Sequence, residues 1–347
     1  MSVEQETFGV LPDGTKISRY IIRSGQLTAS VLTYGAVLWS LQVPDRQGKL
    51  RDVVLGYRSL EGYRDNPACM GAVIAPNANR TAGARYRIGG KEYRMTRNEG
   101  ANNLHSDLEH GAHKRVWLVR QQSDNSVTLE LTMPDGDLGF PGDRTMLVTY
   151  EADGAGGLRL TYQMRSDAPT VFNPTNHSYF NLNGAGSVLD HQLMLSASTY
   201  TPVGEGSIPT GEILPVAGTP MDFRQFKTIG QNLHAPFAQF SITSGYDHNY
   251  AIDQADGTLR PFAVLRSRDS GIEMTGYTTQ PGVQVYSGNY LGSDQGKYGA
   301  VYHAHDGIAL ETQFFPNALN EARFQTPLIA AGQWATCTTV YRFGVAS

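Results

Sequence analysis

The stretch VTLELTMPDG, residues 127–136, alternates apolar with polar side chains and then stops at a turn. Val127, Leu129, Leu131 and Met133 fall on one side of an extended chain, and Thr128, Glu130 and Thr132 on the other. Successive strand side chains point to opposite faces, so the pattern predicts a strand with one buried and one wet face, as in antiparallel sheets. Pro134-Asp135-Gly136 supplies the reversal. The same period recurs in Leu158, Leu160, Tyr162 and Met164 against Arg159, Thr161, Gln163 and Arg165. It recurs again in Val37, Trp39, Leu41 and Val43 against Leu38, Ser40 and Gln42. Pro12-Asp13-Gly14, Gly89-Gly90, Pro141-Gly142 and Asp153-Gly154 punctuate the runs. No long segment carries an i, i+3, i+4, i+7 apolar stripe, and helix is expected only as a few turns near residues 60–63 and 223–233. Residues 336–343 read as a strand that ties the tail into a sheet. The expected fold class is all-β, a large antiparallel sandwich or closed sheet.

Composition narrows the partners. A net charge of −4 and a pI near 6.1 provide no basic field for nucleic acid, and no Lys/Arg cluster suits an anionic membrane surface. Nowhere do eighteen apolar residues follow one another, and the N-terminus lacks the charged-then-apolar pattern of a secretion signal. The expectation is a soluble cytoplasmic protein with a small or neutral ligand. Cys69 and Cys337 lie far apart with no CxxC spacing, which suits a reducing compartment and leaves no basis for a disulfide, redox or zinc-thiolate reading.

Polar clusters interrupt the strand pattern at Ala78-Asn79-Arg80, Asn102-Asn103-Leu104-His105, Thr175-Asn176-His177-Ser178-Tyr179-Phe180-Asn181-Leu182, Gly245-Tyr246-Asp247-His248, Gln284-Val285-Tyr286-Ser287-Gly288-Asn289 and Ala309-Leu310-Glu311-Thr312. Taken singly each has an ordinary structural reading: a hydrogen-bonded histidine, a strand-end carboxylate in an ion pair, a braced turn. Together, in this order and across nearly the whole chain, they resemble the galactose mutarotase (aldose 1-epimerase) family. The resemblance implies one large β-sandwich domain over residues 1–347 that interconverts the α and β anomers of a free sugar, with galactose or glucose as expected substrates.

Opening a cyclic hemiacetal needs a base for the proton of the anomeric hydroxyl and an acid for the ring oxygen. The aldehyde then rotates and the two groups exchange roles as the ring closes. Neither a cofactor nor a metal is demanded. By resemblance Glu311 is the base and His177 the acid, converging across a groove. An imidazole titrates near neutrality, and burial of Glu311 after the apolar run Gly307-Ile308-Ala309-Leu310 would raise its pKa. His105 matches the family's second, sugar-orienting histidine; Arg80, Asp247 and Gln284 are expected to contact sugar hydroxyls, and Asn79 to do likewise or only to brace the turn. Asn176 is read as holding its loop by hydrogen bonds, and Tyr179 and Phe180 as a wall of the site or as ordinary core. The expected assembly is a monomer or homodimer.

Two places depart from the family pattern: Ala75-Pro76-Asn77 stands where GR commonly precedes the ANR triplet, and Ser106-Asp107 where two glycines commonly follow the histidine. Both are expected to alter the cleft rim and with it the preferred sugar. Histidines at 105, 110 and 113, and at 303 and 305, suggest a metal site, but no carboxylate at a convincing interval completes it. Two rival functions are a carbohydrate-binding sandwich without catalysis, stacking sugars on Trp39, Trp117 and Tyr246, and a glycoside hydrolase using Glu311 and Asp247.

Overall fold

The computed structural model describes residues 1–292 and 294–346. Every ladder between the strands is antiparallel, as the alternation predicts. A nine-stranded sheet is built largely from the strands read in the sequence: Ser126–Met133, Arg144–Ala152, Gly157–Ser166, then Trp334–Val345 and Ile272–Thr278. The tail strand thus lies between Gly157–Ser166 and Ile272–Thr278 and bonds to both. A six-stranded sheet holds Tyr179–Phe180, Ile308–Gln313, Gly282–Tyr286 and Asp247–Ala251 in neighbouring places. A five-stranded sheet covers the first 52 residues, from Ser2–Val10 to Leu50–Asp52.

The six-stranded sheet packs one face on the nine-stranded sheet. Ile308, Leu310, Val283 and Val285 share a buried cluster with Tyr150, Leu160 and Tyr341. The Phe180 and Tyr341 rings lie 4.8 Å apart, and the Tyr341 hydroxyl donates to the Leu310 carbonyl at 3.3 Å. Period two then sends Ala309, Glu311 and Gln313 to the opposite face. That face is buried as well, which is why this strand reads as an apolar run rather than as an alternation.

Two local expectations need correction. The Val37, Trp39, Leu41, Val43 series does not lie on one face: Val37 and Trp39 belong to one buried cluster, and Leu38, Leu41 and Val43 to another. Ser40 pairs with Ser30 and Leu38 with Val31, so Trp39 is the extra residue of a bulge that switches the phase. The helix expected within residues 223–233 is a short strand and a 3₁₀ turn, Ile229–Asn232, and the second α-helix is instead Ala238–Thr243. The first, Leu60–Asp65, lies where it was expected. No helix among the described residues is long and apolar enough to cross a membrane.

Candidate functional site

On the outward face of the six-stranded sheet, register does the positioning. Gln284 pairs with Glu311, Asp247 with Tyr286, and Tyr286 and Tyr179 both with Ala309. Pairs directly opposite in a ladder share a face, so Glu311, Gln284, Asp247, Tyr286 and Tyr179 form one surface. His177 precedes Tyr179 on a segment pinned from behind: its N–H donates to Ala72 at 2.9 Å, and its carbonyl accepts from Gly71 at 2.8 Å. Asn176 holds the segment as expected, donating to the Gly71 carbonyl at 2.9 Å and accepting the Ser178 N–H at 3.2 Å.

These elements bring His177 Nε2 to 3.6 Å from Glu311 Oε1, both side chains almost wholly buried. The His105 ring stands 5.4 Å from that of His177, at near right angles. In front lies a cavity of about 420 Å³ lined by Asn79, Arg80, His105, His177, Asp247 and Glu311, with Glu99, Tyr179 and Tyr286 among the rest. That volume suits a small molecule. Gln284 does not line it directly. Its amide donates to Asp247 Oδ1 at 2.7 Å, so it acts through Asp247.

The groove expectation changes here. At 3.6 Å the two groups leave no room for a sugar between them, so a sugar in the cavity meets both as neighbours. This suits a hemiacetal, whose anomeric oxygen and ring oxygen are bonded to the same carbon.

Burial drives the pair apart in proton affinity. It pushes the Glu311 carboxyl well above its usual range, reinforced by Asp247 and opposed by Arg80. It pushes His177 down to about 4, against Asp247 and a hydrogen bond to its own backbone. His105 also falls well below its usual value, through burial and then the neighbouring His177. All three changes disfavour charge in a dry site.

The raised Glu311 pKa has a sign for stability. Below the unfolded value of about 4.3 both states are protonated; above it only the unfolded chain ionises, so folded-state stability is lost as pH rises toward the folded pKa. Glu311→Gln, neutral at every pH, is therefore expected to raise the urea midpoint at pH 7 and to match the parent near pH 4. Equal midpoints at both pH values would contradict this.

Arg80 is clamped. Its Nε and Nη2 each donate to Glu99 at 2.8 Å, and Nη1 donates to Asp247 Oδ2 at 3.4 Å. Burial works against its charge, but Asp247 and Glu99 more than offset this and hold the guanidinium protonated. Glu99 is absent from the sequence reading. The signal for it was a carboxylate six residues before His105 in a turn-rich loop, where many carboxylates are merely solvated.

His105 Nδ1 accepts the Asn79 N–H at 3.1 Å, so the neutral ring carries its proton on Nε2. This decides the metal question raised by the histidines. His110 is exposed and His113 turns to the Leu108 carbonyl, so neither joins His105. His105, His177 and Glu311 do offer ligand atoms within 4.8 Å of one another, a grouping hidden by sequence separation. Yet one nitrogen of His105 is occupied as an acceptor and the other is a donor, so the set does not fit a resident metal.

The two departures from the family pattern meet each other, away from the cavity. The Asn77 N–H donates to Ser106 Oγ at 3.0 Å, and Ser106 Oγ donates back to the Asn77 carbonyl at 2.9 Å. Ser106 adopts φ 67°, a conformation natural to glycine, with this buried brace as compensation. Asp107 Oδ1 accepts the N–H groups of Glu109 and His110 at 2.8 Å. Pro76, Asn77, Ser106 and Asp107 are buried and none lines the cavity, so the expected change of the rim, and the shift in preferred sugar drawn from it, loses its basis.

The rival platforms fail on burial. Trp39, Trp117 and Tyr246 are 9%, 1% and 0% exposed and cannot stack on a sugar. Of the aromatic pair, Tyr179 lines the cavity while Phe180 enters the core.

A sequence profile of the family described as "Aldose 1-epimerase" matches residues 18–342. The chain is 41% identical over 350 residues to galactose mutarotase of Mus musculus, covering all of both chains. It is 35% identical to aldose 1-epimerase of Escherichia coli, over 97% of this chain and 98% of the other. Among solved structures, an aldose epimerase homologue from C. elegans superposes with a TM-score of 0.87 at 30% identity, covering 94% of this chain and 98% of that one. Galactose 1-epimerase from Lactobacillus acidophilus gives 0.87 at 25% identity, over 100% and 99%.

Proposed function

The chain belongs to the aldose 1-epimerase family, and from that premise we propose that it interconverts the α and β anomers of a free aldose in the cavity before Glu311 and His177. The observation that carries the reading is the 3.6 Å pair of a carboxylate and an imidazole, buried together at that cavity. In the reactive arrangement Glu311 is ionised and His177 protonated. Glu311 takes the proton of the anomeric hydroxyl while His177 gives its own to the ring oxygen, and the C1–O5 bond breaks. The pair is then neutral and the sugar is an open-chain aldehyde. Rotation about C1–C2 and the reverse transfers close the ring on the other face.

Burial is what makes both groups potent. It raises the energy of the charged arrangement, which makes Glu311 a stronger base and His177 a stronger acid than either would be in water. Throughout the cycle the pair holds one transferable proton. His105, with its Nε2–H turned to the cavity, orients the ring. Arg80 and Asp247 read hydroxyls, Gln284 steadies Asp247, and Asn79 fixes the His105 tautomer. Galactose and glucose are the expected sugars. Convergence of residues from both halves of the chain supports one domain, and a cytoplasmic monomer or homodimer working without a cofactor accords with the chemistry.

The test is the optical rotation of freshly dissolved α-galactose. Protein that leaves the decay at the buffer rate contradicts the reading. A second expected result concerns pH. The pair gains a second proton below about pH 4, where His177 titrates, and loses its single proton only when the raised Glu311 pKa is passed. The kcat/KM profile should therefore be flat around neutrality, with an acid limb near 4. A midpoint near 6.5 would show that burial does not depress His177.

A further inference from the structure

Glu99 has no place in the proton chemistry, yet it lines the cavity and holds Arg80 by two hydrogen bonds of 2.8 Å. We propose that Glu99 determines substrate class, making the site choose uncharged aldoses over acidic ones such as uronates and sugar phosphates. The inference rests on the sugar-binding reading above.

Arg80 is the only lysine or arginine among the cavity-lining residues described. A guanidinium facing a partly buried cavity is a ready partner for a carboxylate or phosphate, which it grips as a fork through two parallel N–H bonds. In this protein the side-on fork is taken. Glu99 Oε2 and Oε1 receive Nε and Nη2, the side-on edge, one of the two through which a bound acid could be gripped. The end-on edge, Nη1 with the second N–H of Nη2, remains, and there Nη1 already donates to Asp247 Oδ2 at 3.4 Å. Glu99 thus acts as a built-in competitor for any acidic ligand. Two carboxylates around one guanidinium also leave the group with an excess negative charge, which repels anions and still offers a donor to a hydroxyl.

The Glu99 loop is held in place rather than loose. Asn98 bonds both ways with the Leu104 backbone at 2.7 and 2.8 Å, and the Asn102 N–H donates to the Glu99 carbonyl at 3.0 Å. The Glu99 side chain is 32% exposed against 13% for Arg80, so it stands on the solvent side of the clamp, where an incoming sugar passes.

The experiment compares galactose with galacturonate, which differ by a carboxylate at one carbon. Dissociation constants and mutarotation kcat/KM would be measured for the parent, Glu99→Gln, Glu99→Ala and Glu99→Asp. The parent should favour galactose in both measures. Glu99→Gln and Glu99→Ala should narrow that preference at least about tenfold, chiefly through tighter galacturonate binding, and Glu99→Asp should restore much of it. Raising ionic strength should narrow it in the unaltered protein, a check that needs no variant. A ratio that stays constant while both sugars weaken together would reduce Glu99 to a structural brace and overturn the proposal, as would a parent that binds both sugars equally. Binding of galactose without any acceleration of mutarotation would instead refute the catalytic reading, and the binding ratio would still judge Glu99.

Discussion

Glu311→Gln and His177→Asn should each slow mutarotation at least about a hundredfold in kcat while galactose binding changes little, since loss of one acid-base partner typically costs 10²- to 10⁴-fold. Both substitutions nearly preserve shape. Glu311 sits opposite Gln284 in the ladder, and a glutamine fits the same position without moving the strand. His177 is fixed by its backbone, bonded to Ala72 and Gly71, so an asparagine leaves the segment in place. Because the two groups pass one proton between them and the sugar, removing the second after the first should add little. The double variant is expected to be about as slow as the slower single one. Polarimetry and equilibrium binding on the same preparations separate rate from affinity. A loss below about fivefold in either single variant would remove that residue from the mechanism. The same Glu311→Gln protein should be the more stable at neutral pH, so the site gains its reactivity from a burial that the fold tolerates at a cost.

The second large effect is expected one layer behind the chemistry, at Gly71. Its φ is 70°, and a Cβ there would lie 2.6 Å from the Leu38 carbonyl oxygen and 3.1 Å from Val37 Cγ1. Its N–H and carbonyl are the partners that hold His177 and Asn176. Gly71→Ala therefore combines an unfavourable backbone conformation, about 1–2 kcal/mol, with a clash against backbone that cannot swing away. A total destabilisation of about 2–4 kcal/mol is expected in urea titrations, with kcat reduced as His177 shifts. Gly89→Ala is the control, because its φ of 56° is similar but nothing lies within 4 Å of the added carbon. It should show only the backbone part and retain full activity. Equal losses at the two positions would mean that the close packing behind His177 is unimportant.

The sheets were legible because half-buried strands write their faces into the sequence, as residues 127–133 do. The sandwich failed to read where that condition lapses. The strand carrying Glu311 is buried on both sides and shows no alternation, and the bulge at Trp39 reverses the phase within a run that looks regular. The candidate site could be proposed from its clustered motifs, from Asn79 and Arg80 to Glu311, through their resemblance to the family, and the fold brings these residues to one cavity with Gln284 behind Asp247. Glu99 was hidden because its importance comes from the two donors of Arg80 that it meets, and nothing in the order of residues announces that meeting. The departures at Pro76 and Ser106 misled for the complementary reason. A list of substitutions does not reveal that Asn77 and Ser106 bond to each other behind the site.

The position of the tail strand bears on how such a chain is made. Trp334–Val345 sits in the interior of the nine-stranded sheet, between strands that begin near residues 157 and 272. Until residues 334–345 have been made, the strands Gly157–Ser166 and Ile272–Thr278 each keep one row of backbone donors and acceptors open. The nine-stranded sheet therefore closes only once residues 334–345 are available to join its two parts.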